Sequence, residues 1–230
     1  MGDPVRILLF HDPVCVWSFL SAVRLRRVAE AFGDRVTLAG KVFLLARDET
    51  EALRRWPDQA ARTEAILAGW ARAKAQPGGE AIDPDRARRQ LARMPLSLPA
   101  AAAVKGAEEI AGMAAHLVLL RRLQEALFVE GRDTGNPGVI LQCASAVGLD
   151  PTPLAIGLEQ GAFLPDAFAD DAGARALGFT GVPTVVFDER FVLAGVADEA
   201  RYRDVVSALL DGRAPEGCLD LDAPERPAAL

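Results

Sequence analysis

The chain begins with two apolar segments on either side of a stretch with helical periodicity. Residues Val5–Phe10 (VRILLF) form a short apolar run, which is typical of a fully buried strand. From Cys15 to Phe32 apolar residues recur at helical spacing, and Gly33 suits the end of such a helix. Val36–Leu45 alternates loosely and predicts a second strand. The order strand, helix, strand predicts a parallel crossover unit.

The middle of the chain, residues 48–177, is rich in alanine, leucine, arginine and glutamate and poor in β-branched residues. It predicts successive helices over residues 50–75, 83–94, 99–114, 116–130, 135–148 and 151–160. Two short apolar runs follow, Val182–Phe187 and Phe191–Ala194, and their close spacing predicts a hairpin before a last helix over Asp198–Leu210. The pattern therefore predicts an α/β fold with one sheet, interrupted by a large all-helical insertion.

Composition and charge narrow the classes of function. The 230 residues are 50% hydrophobic and 25% charged, which is ordinary for a globular protein. A net charge of −6, with 26 basic against 32 acidic residues, argues against a nucleic-acid partner. The first residues lack the basic and long apolar regions of a secretory signal, and no apolar run approaches the ~20 residues of a membrane helix. We therefore expect a cytoplasmic protein with no membrane partner.

The candidate chemistry lies in the segment HDPVCVWSFL, where Cys15 stands at the junction of the first strand and the first helix. A helix N-terminus presents unpaired N–H groups and the positive end of the helix dipole, which favour a thiolate over a thiol. Ser18 lies on the same face of the first turn and can donate a hydrogen bond that lowers the thiol pKa further. Asp12 is a candidate cap at the helix entry. On spacing alone, a small buried side chain remains the alternative interpretation of Cys15.

The other cysteines and the two histidines form no pattern of metal ligation. Three cysteines are an odd number, and they lack metal-ligand spacing. Cys143 lies in an apolar helical stretch and is predicted to belong to the core, whereas Cys218 lies in the tail, from which it could reach Cys15. His116 is predicted to be structural, and His11 either tunes the thiolate or belongs to a loop or cap. We expect no metal site.

Three segments resemble a known family. HDPVCVWSFL resembles the Asp-Pro-x-Cys-Pro-Trp-Cys segment of the FrnE-type branch of the DsbA-like thioredoxin family. GFTGVPTVVFDERFVLAGV resembles that family's Gly-Val-Pro-Thr motif, and EALFVEGRDTGNPGVILQCASAVGLD resembles the stretch that closes its helical insertion. The resemblance implies a thioredoxin-like domain formed by residues 1–47 and 178–212, on either side of the helical insertion over 48–177. The tail over 213–230, rich in Asp, Pro and Ala, is predicted to be flexible.

The same resemblance implies roles for individual residues. Cys15 matches the attacking thiol of the family. Pro183 matches the cis-proline that faces this thiol, and the backbone of Val182 is expected to bind an extended peptide or glutathione lying over it. Thr184 completes the motif. Trp17 is expected either to flank the thiol as an apolar wall or simply to pack.

The chain departs from the family at Ser18, which stands where the family has its second cysteine. No disulfide can form within the motif, so Cys15 alone can neither pass on an internal disulfide nor resolve a mixed disulfide. A serine at this position resembles the kappa-class glutathione transferases and hydroxychromene-carboxylate isomerases, a neighbouring branch of the same superfamily. That branch suggests a homodimer.

Three functions stay open on the sequence. A monothiol oxidoreductase or isomerase, our leading hypothesis, would attack a protein or glutathione disulfide with Cys15, and an external thiol such as glutathione would resolve the product. A glutathione-dependent transferase or isomerase would stabilise the glutathione sulfur with Ser18 or Cys15 and hold a small molecule in the helical insertion. A binding protein would have kept the fold and lost the chemistry. None of these functions requires a bound cofactor, and glutathione enters only as a co-substrate.

Overall fold

The computed structural model describes residues 3–55 and 58–223, which form one five-stranded sheet and nine helices. The strands are β1 (Val5–His11), β2 (Val36–Val42), β3 (Thr184–Phe187), β4 (Phe191–Ala194) and β5 (Leu219–Asp220). The helices are α1 (Val16–Phe32), α2 (Glu49–Arg55), α3 (Gln59–Lys74), α4 (Pro84–Gln90), α5 (Ser97–Phe128), α6 (Pro137–Ala146), α7 (Pro151–Gln160), α8 (Leu164–Ala176) and α9 (Glu199–Leu210). This order confirms an α/β fold with a helical insertion. No helix in the described ranges is long and apolar enough to cross a membrane.

The sheet topology brings together the two loops that carry the sequence motifs. The strand order is β2-β1-β3-β4-β5. β1 runs parallel to β2 and antiparallel to β3, with Phe10 opposite Thr184. The end of β1 therefore lies beside the beginning of β3. Since Cys15 follows β1 and Pro183 precedes β3, both are delivered to the same edge of the sheet.

Alternation along β1 separates the two faces of the sheet. Val5, Ile7 and Leu9 are buried against α1 and α9 on one face. Phe10 points to the other face, where its ring meets that of Phe179 with centroids 5.0 Å apart. Full burial of such a side chain stabilises the fold by roughly 1.5–3 kcal/mol. The strand β1 is thus covered on both faces, as its nearly continuous apolar sequence predicts.

The helical insertion is built around α5, which packs against α6, α7 and α8. Its buried face begins with a run of alanines, which allows the neighbouring helices to approach closely. The helical dihedral angles break at Ala111 and Gly112, and Gly112 has a φ of 81° that favours glycine. The two helices predicted over 99–114 and 116–130 therefore correspond to the two helical segments of α5 on either side of this break.

An aromatic cluster joins α1 to the insertion and positions the wall opposite the thiol. Phe19 of α1 stacks on Phe128 at 5.3 Å between ring centroids, and Trp70 of α3 meets Phe128 edge-on at 4.7 Å. Val16 and Leu67 are buried in the same cluster. These contacts hold α3 against the first turn of α1, where Cys15 lies.

Other details differ from the sequence prediction. The helix α8 was not predicted. The single helix expected over 50–75 contains α2 and α3, and Asp58 begins α3 by accepting a hydrogen bond from the backbone N–H of Ala60. Residues 56–57 of that stretch, and residues 224–230 of the predicted tail, lie outside the described residues. Within the tail, Leu219–Asp220 pair with β4 and add an edge strand that the sequence did not predict.

Candidate active site

Cys15 occupies the N-cap position of α1, where its backbone is still extended (φ −90°, ψ 115°). Its carbonyl accepts the first helical hydrogen bond from the backbone N–H of Phe19, and its own N–H donates to the carbonyl of Asp12. The thiol lies 3.6 Å from the carbonyl oxygen of Val182. Only 7% of the residue is exposed. The strand-to-helix junction therefore presents the sulfur to the loop that precedes β3.

That loop contains a cis peptide bond between Val182 and Pro183, as the resemblance implies. The strand β3 begins at Thr184 rather than Val182, because a proline has no N–H to donate to the ladder. The Thr184 hydroxyl donates to the carbonyl of Gly181 at 2.9 Å and holds the turn. Val182 lines the cavity beside the thiol, whereas Pro183 and Thr184 are buried behind it.

The acidity of Cys15 differs from the sequence prediction. Burial raises the pKa of the Cys15 thiol above its ordinary value. Hydrogen bonds from the side chain and backbone of Ser18 lower this pKa, as expected for a helix N-terminus, but the loss of solvent outweighs them, and the charge of Asp12 raises the pKa as well. The prediction of a lowered pKa was therefore wrong. Position at a helix terminus can be inferred from sequence, but the degree of burial cannot.

Ser18 is fully buried within the first turn of α1. Its hydroxyl oxygen accepts a long hydrogen bond, 3.4 Å, from the backbone N–H of Asp12, and a hydrogen bond of the same hydroxyl with Cys15 lowers the pKa of the thiol. The serine therefore connects the loop after β1 to Cys15. Ser18 occupies the position of the family's second cysteine, which would have to reach the Cys15 sulfur to resolve a mixed disulfide.

Asp12 is a buried carboxyl group beneath the thiol. One of its oxygens accepts from the backbone N–H of Val14, and the other accepts from the N–H of Leu45 and the hydroxyl of Ser97, at 2.8, 2.8 and 2.5 Å. Burial raises its pKa to about 6 despite these hydrogen bonds. Asp12 thus joins three segments at the site and does not cap α1 itself, which has no side-chain cap.

A cavity of about 370 Å³ opens beside Cys15, between the first turn of α1 and the insertion. Trp17 is half-buried and forms part of its wall, and it also packs against the aromatic cluster. One face of α3 forms the opposite wall through Ile66, Gly69 and Trp70. The volume lies within the range of small-molecule sites.

Arg62 is a residue of this cavity that the sequence analysis missed. It lies on the same face of α3 and is only 2% exposed. Its Nε and Nη1 atoms have no hydrogen-bond partner among the described residues. The Glu49 carboxylate is 3.8 Å from Nη1, beyond hydrogen-bond distance. No local signal distinguishes Arg62 from the many exposed arginines of the helical region.

The two histidines meet although they are far apart in sequence. Their Nε2 atoms are 2.8 Å apart, and Nδ1 of His116 lies 2.9 Å from a carboxylate oxygen of Glu108. Burial, with the nearby charges of His116 and Lys105, lowers the pKa of His11. The pair joins the end of β1 to α5, so the structural interpretation of His116 extends to His11.

The remaining cysteines lie away from any candidate ligand set. Cys143 is fully buried in the core of the insertion, as predicted. Cys218 is partly buried against the α1–α9 face of the sheet, with its sulfur 3.6 Å from the Arg201 guanidinium. Both are free, as is Cys15. The described part of the chain holds no cluster of three or more His, Cys, Asp or Glu side chains suited to a metal ion.

A family comparison decides the relationship. The family model described as the DSBA-like thioredoxin domain matches residues 6–207, from the first strand to the last long helix. The chain belongs to the DSBA-like thioredoxin domain family. The thioredoxin-like fold and the DsbA-like family that the motifs implied are therefore confirmed for this DSBA-like protein, whereas its place in the FrnE-type branch stays a prediction.

Solved structures share the fold. A protein of Streptomyces coelicolor described as a probable DsbA oxidoreductase is 20% identical, with 96% of this chain and 100% of that chain covered and a TM-score of 0.70. The cytosolic disulfide reductase DsbM of Pseudomonas aeruginosa, solved with GSH, is 24% identical, with 90% and 98% covered and a TM-score of 0.58. A 2-hydroxychromene-2-carboxylate isomerase is 16% identical, with 90% and 95% covered and a TM-score of 0.63. A search of curated proteins gave no significant match.

Proposed function

We propose that this DSBA-like protein catalyses thiol–disulfide exchange through Cys15 alone, as a monothiol oxidoreductase or isomerase. The observation that carries the proposal is the contact of the Cys15 sulfur with the Val182 carbonyl, 3.6 Å away, at the wall of the cavity. A disulfide bound in this cavity would contact both the Cys15 thiol and the backbone of the loop that precedes β3. DsbM, whose fold is similar, is a disulfide reductase solved with GSH, which supports this class of reaction.

The reaction has two exchanges. The Cys15 thiolate attacks one sulfur of a disulfide, so the substrate S–S bond breaks and a mixed disulfide forms, while the departing thiolate takes a proton from water. Because Ser18 cannot resolve this product, a second thiolate attacks the mixed disulfide and regenerates Cys15. We propose glutathione for this second thiol, in a reducing compartment such as the cytoplasm.

The raised pKa of Cys15 has a consequence for the rate. At neutral pH the thiol is mostly protonated, because burial disfavours the charged form. The reactive thiolate fraction, and with it the exchange rate, then increases about tenfold per pH unit until the pKa is reached. We expect a rate that still rises above pH 8, unlike that of a strongly acidic DsbA-type thiol.

The direct experiment measures disulfide exchange and traps the mixed disulfide by mass spectrometry. Cys15→Ser should abolish both the exchange and the trapped adduct. Cys143→Ala and Cys218→Ser are matched controls that remove the other two thiols and should retain both. Exchange at the normal rate in Cys15→Ser would refute the proposal.

A second candidate is a glutathione-dependent transferase or isomerase. It is favoured by the protonated Cys15 thiol, which can donate a hydrogen bond to a glutathione thiolate, and by the tryptophan-lined cavity. In that case Cys15→Ser, which keeps a hydroxyl donor, would still bind glutathione in calorimetry and hold it as a thiolate, whereas Cys15→Ala would not. A protein that neither exchanges disulfides nor binds glutathione would be a binding protein of this fold.

A further inference from the structure

An arginine without hydrogen-bond partners lines the cavity of the candidate thiol. Arg62 is 2% exposed, and two of its three guanidinium nitrogens have no partner among the described residues. The Glu49 carboxylate, 3.8 Å from Nη1, is itself 42% exposed and therefore well solvated. It attracts Arg62 without satisfying its N–H groups.

Such a group carries a free-energy cost in the empty site. A guanidinium stays charged at every physiological pH, and a buried charge is costly unless it is both paired and hydrogen-bonded. The cavity wall offers Arg62 few hydrogen-bond acceptors, since Trp17, Ile66 and Trp70 are apolar over most of their surface. Because Arg62 lines the cavity, an occupant of the cavity is the partner that we infer for its guanidinium.

The wall around Arg62 leaves room for an occupant. Arg62, Ile66 and Gly69 follow one another at helical spacing along the cavity face of α3. A methyl group at Gly69 would meet only the Arg72 guanidinium, 3.8 Å away, so the helix backbone is accessible there. A planar guanidinium at the edge of such a space matches a carboxylate, with which it forms two parallel hydrogen bonds.

We propose that Arg62 is the carboxylate-recognition residue of this site, and that Cys15 acts on small thiols and disulfides that carry a carboxylate. The inference rests on the proposed exchange function and adds its substrate class. A cavity of about 370 Å³ accommodates a low-molecular-weight disulfide, and the recognition of its charge is the specificity that Arg62 supplies.

The test compares two disulfides of equal size that differ only in charge, dithiodipropionate and its diamide. Wild-type protein should prefer the diacid. Arg62→Gln should reduce kcat/KM for the diacid by about tenfold or more, as expected for loss of a charge-assisted hydrogen bond, and change that for the diamide by less than about twofold. Arg72→Gln is the matched control, since it removes an exposed charge from the same wall and should change neither rate by more than about twofold.

Binding without chemistry separates this inference from the exchange function. Suberate replaces both sulfurs of dithiodipropionate by methylenes and cannot react. It should bind Cys15→Ser in calorimetry and fail to bind Cys15→Ser/Arg62→Gln, while Glu49→Gln should tighten the binding because it removes the competing carboxylate. If suberate binds but no disulfide reacts, the exchange function fails and the carboxylate site stands.

Three results would overturn the proposal: equal rates for diacid and diamide in wild type, equal losses for both in Arg62→Gln, or suberate binding that survives Arg62→Gln. If Arg62→Gln does not fold, Arg62→Lys keeps the charge and loses the planar fork. The Arg62→Lys variant should then lose the preference for the diacid. Its kcat/KM for the diamide should stay within about twofold of the wild-type value. An unchanged preference in Arg62→Lys would equally contradict the role.

Discussion

The buried carboxyl of Asp12 should make the protein less stable as the pH rises from about 4 to 7. Asp12 is fully buried beneath Cys15, and burial raises its pKa from 3.8 to about 6. Hydrogen bonds from Ser97, Leu45 and Val14 lower that pKa but do not restore it. The ionised form is therefore less favourable in the folded protein than in the unfolded chain.

The sign and size of the effect follow from linkage. Between these two pKa values the folded protein holds a proton that the unfolded chain has lost, so raising the pH favours unfolding until Asp12 has ionised in both states. The shift from 3.8 to about 6 is roughly two units. At about 1.4 kcal/mol per unit, it removes ~3 kcal/mol of stability, nearly all of it by about pH 7.

Asp12→Asn removes the titration and keeps the shape. The amide oxygen can still accept from Val14, and the Ser97 hydroxyl can turn to accept from the new amide. The N–H of Leu45 then loses its acceptor, which costs about 1–3 kcal/mol at every pH. Relative to wild type, the variant should be clearly less stable near pH 4 and equal or more stable near pH 8.

Urea unfolding at several pH values between about 4 and 8 measures this difference directly. Ser97→Ala is the control, because it removes the hydrogen bonds of the Ser97 hydroxyl with Asp12 and with the N–H of Ala46 but keeps the carboxyl, so its pH dependence should persist. The difference in unfolding free energy between wild type and Asp12→Asn isolates Asp12 from all other carboxyls. A difference that stays constant within about 0.5 kcal/mol over this range would refute the reasoning.

Two further predictions concern the thiol and the insertion. Ser18→Ala should raise the pKa of Cys15, and alkylation of Cys15 at neutral pH should slow accordingly; an unchanged pH profile would show that this hydrogen bond does not act on the thiol. Gly157→Ala should lower stability by about 1–3 kcal/mol in denaturant unfolding, because the added methyl group would come within 2.2 Å of the Phe163 ring. Gly173→Ala, on the neighbouring helix, meets nothing within 4 Å and should be neutral or stabilising, so similar losses in both would contradict the steric explanation.

Residues with a local signal could be placed from sequence. Cys15 follows a strand and begins a helix, and Pro183 stands in a motif that begins another strand, so both could be assigned to one edge of the sheet. The pKa of Cys15 could not be predicted from sequence, because the burial of the thiol depends on what the insertion places over the first turn of α1. Arg62 shows the same limit, since its isolation from hydrogen-bond partners exists only in the folded chain.

The helix α8 escaped prediction for an electrostatic reason. Its buried face consists of Ala167, Asp170, Asp171 and Ala174, so its inward positions look small and polar rather than apolar. The two aspartates accept hydrogen bonds from the backbone at the end of β2 and pair with cations, including Lys41. A hydrophobic periodicity cannot reveal a face whose burial depends on partners more than a hundred residues away.

On the proposed function, the replacement of the resolving cysteine by Ser18 decides how the site must work. Cys15 is 7% exposed and lines the cavity, so reagents reach it through that space. The first product must leave the cavity before the resolving thiol can enter. This thiol then attacks the substrate-derived sulfur of the mixed disulfide, and Cys15 leaves as a thiolate. Substrate and resolving thiol therefore use one entrance in turn, which gives a double displacement. Arg62 would meet both, so a carboxylate on the resolving thiol favours turnover as much as one on the disulfide.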